Sequence, residues 1–305
     1  MSRRQQQVQL YCKPNVSGSG SVGDCPFTHT AGMRLRAKEI DFTYVPCSKE
    51  QKPDWLLAPP HNGTMPCLTY FTCSSGTDGS EGEEDDRERV VISDSVLICK
   101  HIDEVMTTEQ IGGDKCSPAL HEEAWNIVDN LGFFRAFAMF MKSDPSNRAE
   151  RKAALHGRCA YLESLLEQQD YPCICPSAIG SSPRYFLKRG FSQVDCTLCP
   201  QLFMCQAVLE HFTGESFQSL LVVPPAVSPA TEDSPSSAAP GDVAGDAAGY
   251  SSLTPLTERA RLKCYIMCML GGGGGGGGEE VFSSTLKYDA ASAIAGWAAA
   301  GVEPF

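Results

Sequence analysis

Gly23-Asp24-Cys25-Pro26-Phe27-Thr28 is the stretch on which the fold turns. It separates a strand-like segment, Val8 to Cys12, from Cys25 to Lys38, which has helical character. Pro26 suits the first helical position, where its missing N–H leaves nothing unsatisfied. Cys25 is thereby set at or beside a helix N-terminus. Unpaired N–H groups and the helix dipole favour negative charge there, so the thiolate, which is the nucleophilic form, is expected at Cys25. Position 28 is Thr rather than Cys, so no second thiol three residues on can resolve an oxidised Cys25. An external thiol is required, which points to glutathione.

Reading outward, Ile40 to Val45 is a second strand and Lys52 to Leu57 a short helix around Trp55. Pro66 to Phe71 and Arg89 to Ile92 read as strands, and Ser93 to Met106 as a helix. The order is β-α-β-α-β-β-α, with a parallel crossover first and a hairpin last. Within the hairpin, Ser74 to Asp86 is rich in Ser, Gly, Asp and Glu and predicts a mobile acidic loop over 74–88. From Pro118 the pattern is all-helical. Ala119 to Lys142 predicts one long amphipathic helix with Trp125, Phe133, Phe134, Phe137 and Phe140 on or near one face, and Arg148 to Gln169 a second. A third begins after Phe191, opened by the Ser192-Gln193-Val194-Asp195 cap spacing. Residues 224–250 are Pro/Ala/Ser/Gly/Asp-rich and predict a disordered insert. Gly271 to Gly278 predicts a spacer, because it lacks the Gly-Lys-Ser/Thr ending of a phosphate loop. The class is α/β followed by all-α, with units 1–107 and 118–305.

The chain has 305 residues, 42% hydrophobic and 20% charged, enough for one large or two modest domains. Its net charge of −12 opposes nucleic acid and anionic membrane surfaces as partners. No apolar run reaches the roughly 20 residues of a membrane-spanning helix, so no stable insertion is expected. Strand-like Val8 follows so closely on the short basic start that no secretory signal fits, and the cytoplasm is the expected location. Fifteen scattered cysteines, an odd number, do not form a secreted disulfide framework. Most are expected to be buried apolar thiols.

Two more elements suit a small peptide-like ligand. Met65-Pro66, after Asn62-Gly63-Thr64, is placed for a cis bond that opens backbone groups to the ligand. Asp94-Ser95 begins a helix, where N–H groups take a carboxylate and Asp takes an ammonium. Cys196 and Cys199 with Cys173 and Cys175 have the number of thiolates for a zinc site, but 196 and 199 fall in an expected core helix, so no metal is expected. His29 lies near enough to Cys25 to serve as an acid, or sits on a helix face turned away.

This order of elements resembles the glutathione transferase superfamily, with a thioredoxin-like N-terminal domain and a helical C-terminal one. Gly-Asp-Cys-Pro-Phe is similar to its dehydroascorbate reductase and chloride intracellular channel branch. Lys52-Pro53-Asp54-Trp55, Ile92-Ser93-Asp94-Ser95, Phe137 to Pro145, Val194 to Pro200 and the tail Ile294-Ala295-Gly296-Trp297 resemble the reductase. The resemblance implies that Cys25 reduces dehydroascorbate to ascorbate at the expense of glutathione, with glutathione disulfide as co-product. It implies Lys13 and Asp24 at the substrate, and Lys52, Met65, Pro66, Asp94 and Ser95 at glutathione, in a monomer. The family's Ser-Gln-Arg after Cys-Pro-Phe is here Thr28-His29-Thr30, and Asn62-Gly63-Thr64-Met65-Pro66 replaces its Glu-Gly-Lys-Val-Pro. An omega-like transferase that reduces mixed disulfides, and a channel-like membrane or scaffold protein, are the alternative readings.

Overall fold

Alternation organises the first strand. In β1 (Val8–Cys12), Val8, Leu10 and Cys12 are buried while Gln9 and Tyr11 point the other way, the period-2 signature of a strand covered on both faces. The computed structural model describes residues 7–16, 21–72, 88–106, 118–172, 185–187, 190–222, 258–270 and 290–305. The segments 74–86, 224–250 and 271–278, and Cys173 and Cys175, lie outside them.

β1 is central. It pairs in parallel with β2 (Phe42–Pro46), Leu10 opposite Tyr44, and antiparallel with β3 (Cys67–Phe71), Leu10 opposite Leu68. β4 (Arg89–Ser93) closes the hairpin antiparallel to β3, giving the order β2-β1-β3-β4. The helices are α1 (Pro26–Ala37), α2 (Asp54–Leu57) and α3 (Ser95–Glu104). One core joins Val8, Leu10, Leu68 and Tyr70 to Ala31 and Leu35 of α1 and Ile98 and Ile102 of α3. Each such aliphatic side chain contributes about 1.5–3 kcal/mol by leaving water. The opposite face carries Cys47, Leu56 and Cys67, with Trp55 of α2 edge-on to Tyr11 at 5.1 Å.

The helical part comprises α4 (Pro118–Asn130), α5 (Phe133–Met141), α6 (Arg148–Gln168), α7 (Gln193–Thr213), α8 (Ala260–Leu270) and α9 (Ala290–Ala299). The helix expected over 119–142 is two. Gly132 takes a left-handed φ of +56° between α4 and α5, where the guanidinium of Arg158 lies over it and donates to the Asn130 carbonyl oxygen at 3.3 Å. Only glycine adopts that backbone at little cost, so the break is written into one residue. The cap at Ser192 forms as the spacing predicts: Asp195 accepts from the Ser192 N–H at 2.9 Å and its hydroxyl at 3.0 Å. The same carboxylate accepts from Phe186 N–H at 2.9 Å and Tyr265 Oη at 3.0 Å, four donors answering its burial. No helix among the described residues is long and apolar enough to cross a membrane.

Helix α1 belongs to both halves. Nine of its 12 residues are buried, Leu35 in the sheet core and Met33 in the helical core. Its Arg34, 2% exposed, donates from Nε to Asp103 of α3 at 2.6 Å and also from Nη2. Asp103 further accepts from Trp125 Nε1 of α4 at 3.3 Å and lies 3.4 Å from His121 Nδ1. Burial works against the Arg34 charge, but Asp103 reverses that and holds its pKa above the ordinary value. Removing one partner of such a pair strands the other. Asp103→Ala is therefore expected to cost about 3–5 kcal/mol, read from urea unfolding midpoints. Lys263→Ala, which breaks a half-exposed pair with Glu258, is expected to cost under about 1 kcal/mol.

Candidate active site

After β1 the chain doubles back. Pro14 bridges Val22, Asn15 N–H donates to the Ser21 carbonyl oxygen at 2.9 Å, and Gly23 N–H donates to that of Lys13 at 2.7 Å. A Cβ on Gly23 would stand 2.5 Å from the Pro14 carbonyl oxygen, so only glycine permits this closure. The closure sets Lys13 beside Asp24, with Nζ 3.3 Å from Oδ1. The Lys13 side chain is 49% exposed, so the pair adds under about 1 kcal/mol of stability and chiefly fixes where the ammonium stands.

Cys25 follows directly as the N-cap of α1, with Pro26 opening the helix. Its carbonyl oxygen accepts the first helical bonds, from Thr28 N–H at 3.1 Å and His29 N–H at 3.3 Å. Among the described cysteines, only Cys25 and Cys268 are not buried. His29 is fully buried with Nε2 3.2 Å from the Gly23 carbonyl oxygen, so its ring braces the loop behind Cys25.

A second group forms where β3 and α3 begin. The Met65–Pro66 bond is cis, as the sequence suggested. The Pro66 carbonyl oxygen accepts from Asp94 N–H at 3.1 Å, which joins the start of β3 to the start of α3. Asp94, at φ +84°, caps α3: its Oδ1 accepts from Val96 N–H at 2.8 Å and Leu97 N–H at 3.3 Å. Ser95 beside it is buried. Lys52 Nζ donates to the Gly63 carbonyl oxygen at 2.7 Å, two residues before Met65. No described residue hydrogen-bonds the Met65 main chain, while its sulfur receives the Cys47 thiol at 3.6 Å. The sequence-predicted residues thus gather as Lys13–Asp24–Cys25 and as Lys52, Met65–Pro66 and Asp94–Ser95. Cys12 lies between them, its thiol pushed up to about 12 by burial and then by its neighbours Cys47 and Cys25.

One contributor escaped the sequence reading. A Cβ on Gly296 of α9 would fall 1.9 Å from Asp24 Oδ2, so α9 packs its bare backbone on the Asp24 carboxylate. Asn15 Nδ2 donates to Ser292 Oγ of the same helix at 3.0 Å. Trp297 Nε1 approaches Met204 Sδ at 3.0 Å, and its ring meets Phe137 at 5.1 Å. Phe134 lies between Trp297 and Phe27, 6.3 Å and 5.1 Å from them. The tail resemblance marked this stretch, but only the packing reveals that the missing side chain seats Asp24.

Burial silences most of the other described thiols. It pushes Cys99 up to about 12 and Cys159 up to about 11, and raises Cys47, Cys67, Cys196, Cys199 and Cys205. Cys196 and Cys199 lie inside α7, Cys199 Sγ being 3.4 Å from Tyr265 Oη. No cluster of metal-ligating side chains forms among the described residues.

Residues 21–108 match the family model of the glutathione S-transferase N-terminal domain. Over 207 residues the chain is 25% identical to the "Probable glutathione S-transferase DHAR1, cytosolic" of Oryza sativa subsp. japonica, covering 68% of this chain and 79% of that protein. Glutathione transferase Omega 1C from Trametes versicolor superposes with a TM-score of 0.53 at 16% identity over 97% of this chain and 96% of that one, a likeness of fold. The dehydroascorbate reductase of Chlamydomonas reinhardtii gives a TM-score of 0.47 at 20% identity over 70% of this chain and 82% of that one. A matching N-terminal domain, a thioredoxin-like sheet with its helices and a helical half packed on α1 give this chain a glutathione transferase fold.

Proposed function

We propose that the protein is a glutathione-dependent oxidoreductase that reduces dehydroascorbate to ascorbate through Cys25. The observation that carries this reading is the seat of Cys25: a part-exposed thiol at the N-cap of α1, directly after a carboxylate–ammonium pair, where every other described cysteine but Cys268 is buried. Lys13, held beside Asp24 next to Cys25, offers a cation to an oxygen-rich substrate. The 25% identity to the rice protein carrying the DHAR1 label supports the same reading.

The electrons balance over two thiols. Cys25 gives two electrons to dehydroascorbate and takes oxygen from water, leaving as a sulfenic acid while ascorbate departs. One glutathione condenses with the sulfenic acid, expelling water and forming a mixed disulfide. A second attacks that disulfide, releases glutathione disulfide and returns Cys25 to the thiol. In this reading the Met65 main chain pairs with the cysteinyl residue of glutathione. Ser95, which opens α3, takes its γ-glutamyl carboxylate, and Asp94 Oδ2, unbonded among the described residues, takes its ammonium. Lys52 stands to meet the glycyl carboxylate. Buried free thiols suit a reducing compartment, and we place the protein in the cytosol as a monomer.

Ascorbate formation from dehydroascorbate and glutathione tests the reaction: Cys25→Ser is expected to abolish turnover and Cys196→Ser to keep most of it. The opposite result would refute the assignment. Alkylation adds a pH test. Thiols held near 11 or 12 stay neutral at pH 8 and react only as pH approaches those values or the chain unfolds. Iodoacetamide at pH 8 is thus expected to modify Cys25 before Cys12, Cys99 or Cys159, as read by peptide mass. Gly296→Ala must displace Asp24, and misplacing a substrate contact by about 1 Å costs on the order of 10²-fold. Its kcat/KM is expected to fall by at least about tenfold while the Cys25 alkylation order holds.

A further inference from the structure

The two parts of the proposed glutathione groove come from separate stretches of chain. Lys52 and Met65 lie between β2 and β3, whereas Asp94 and Ser95 make the turn from β4 into α3. Main-chain pairing joins the two at one point, where Asp94 N–H meets the Pro66 carbonyl oxygen. Side chains make a second tie. His61 Nδ1 stands 2.9 Å from Ser93 Oγ, linking the loop ahead of Met65 to the last residue of β4. The Ser93 hydroxyl donates to Cys67 Sγ at 3.4 Å. Burial keeps the Cys67 thiol protonated, and its own hydrogen faces the Leu68 carbonyl oxygen 4.0 Å away. The Ser93 hydrogen is thus committed to sulfur, its oxygen accepts, and His61 donates from Nδ1.

Both ends of this tie precede unusual backbone. Asn62 and Gly63, which follow His61, have φ of +49° and +71°. Asp94, which follows Ser93, has φ +84° with ψ +130°. A residue other than glycine persists in such a conformation only where its surroundings hold it there. Thr64 N–H returns to the His61 carbonyl oxygen at 2.9 Å, and the Gly63 carbonyl oxygen receives Lys52 Nζ. His61 therefore anchors the turn that leads to Met65, and Ser93 the turn that presents Asp94 and Ser95. A tripeptide laid across both is sensitive to their separation, because its contacts tolerate little displacement.

We propose that His61 is a positioning residue for glutathione, its hydrogen bond to Ser93 setting the distance from Met65 to Asp94 and Ser95. The inference rests on the glutathione-dependent reading above and gives a role to a residue that reading leaves unused. His61 acts through Ser93 and not on the sulfur of Cys25. It therefore governs affinity for the tripeptide rather than the rate of the thiol steps. A donor at 61 and an acceptor at 93 are needed together, which makes the two positions one unit.

Calorimetric titration of the full chain with glutathione, in a Cys25→Ser background that cannot turn over, tests the proposal. One neutral hydrogen bond changes an equilibrium constant by about two- to tenfold. His61→Ala is accordingly expected to weaken glutathione binding by at least about threefold. With Cys25 intact, the same change is expected to raise the KM for glutathione by that factor while kcat at saturating glutathione holds within about twofold. His61→Asn, whose amide nitrogen can donate from near the place of Nδ1, is expected to recover the affinity. Ser93→Ala is expected to match His61→Ala, and the two together to bind no more weakly than either alone. General loosening of the fold would instead lower kcat, add in the double variant and escape rescue. Unchanged affinity in His61→Ala, no recovery in His61→Asn, or additive losses would overturn the proposal while leaving the glutathione reading standing. Absence of glutathione binding by the parent chain would overturn that reading and this proposal with it.

Discussion

Burial of α1 on two opposite sides is the constraint from which the remaining features descend. One flank packs Ala31 and Leu35 on the sheet and the other sends Met33 into the helical core. A helix gripped in this way cannot tilt without opening both cores. Its N-terminal amides are therefore fixed in space, and they point to where Cys25 stands. The Arg34–Asp103 contact enforces the same grip with charge, tying α1 to α3 and, through Trp125, to α4. A buried ion pair of this sort is poor evidence for net stability, but it punishes any misalignment of the elements that meet there.

Chemical selectivity among so many cysteines needs no special protection of each one. Desolvation keeps a buried thiol neutral, and a neutral thiol is a poor nucleophile. The fold thus sorts the thiols by depth. Cys12 and Cys47, beside the candidate groove, are raised by the same rule.

Much of this was legible in the sequence, and the residues say why. Alternation in Val8–Cys12, Pro26 after Cys25, the Ser192–Asp195 spacing and Asp94–Ser95 before an apolar run are local signals, each settled by its own neighbours. The grouping of Lys13 and Asp24 beside Cys25, and of Lys52, Met65 and Asp94, was anticipated by resemblance; distances and hydrogen bonds came only with the fold. Three things stayed hidden. The division of 119–142 turns on the left-handed backbone of Gly132, which a hydrophobic period running on either side conceals. The approach of Gly296 to Asp24 joins residues far apart in the chain, and a missing side chain leaves no trace in a pattern of side chains. Gln193 and Gln201 of α7 look like surface residues until the helix is seen to be enclosed.

The contact of Asn15 with Ser292 spans 277 positions. A ribosome therefore releases the sheet and Cys25 long before it makes the helix that lies against Asp24. Through that interval the nascent N-terminal half would present Cys25 with one wall missing, open to whatever oxidant or electrophile the surroundings contain. Such a remote closure also slows assembly, because distant partners must find each other late. Maturation of the sulfur's surroundings is thereby coupled to synthesis of α9.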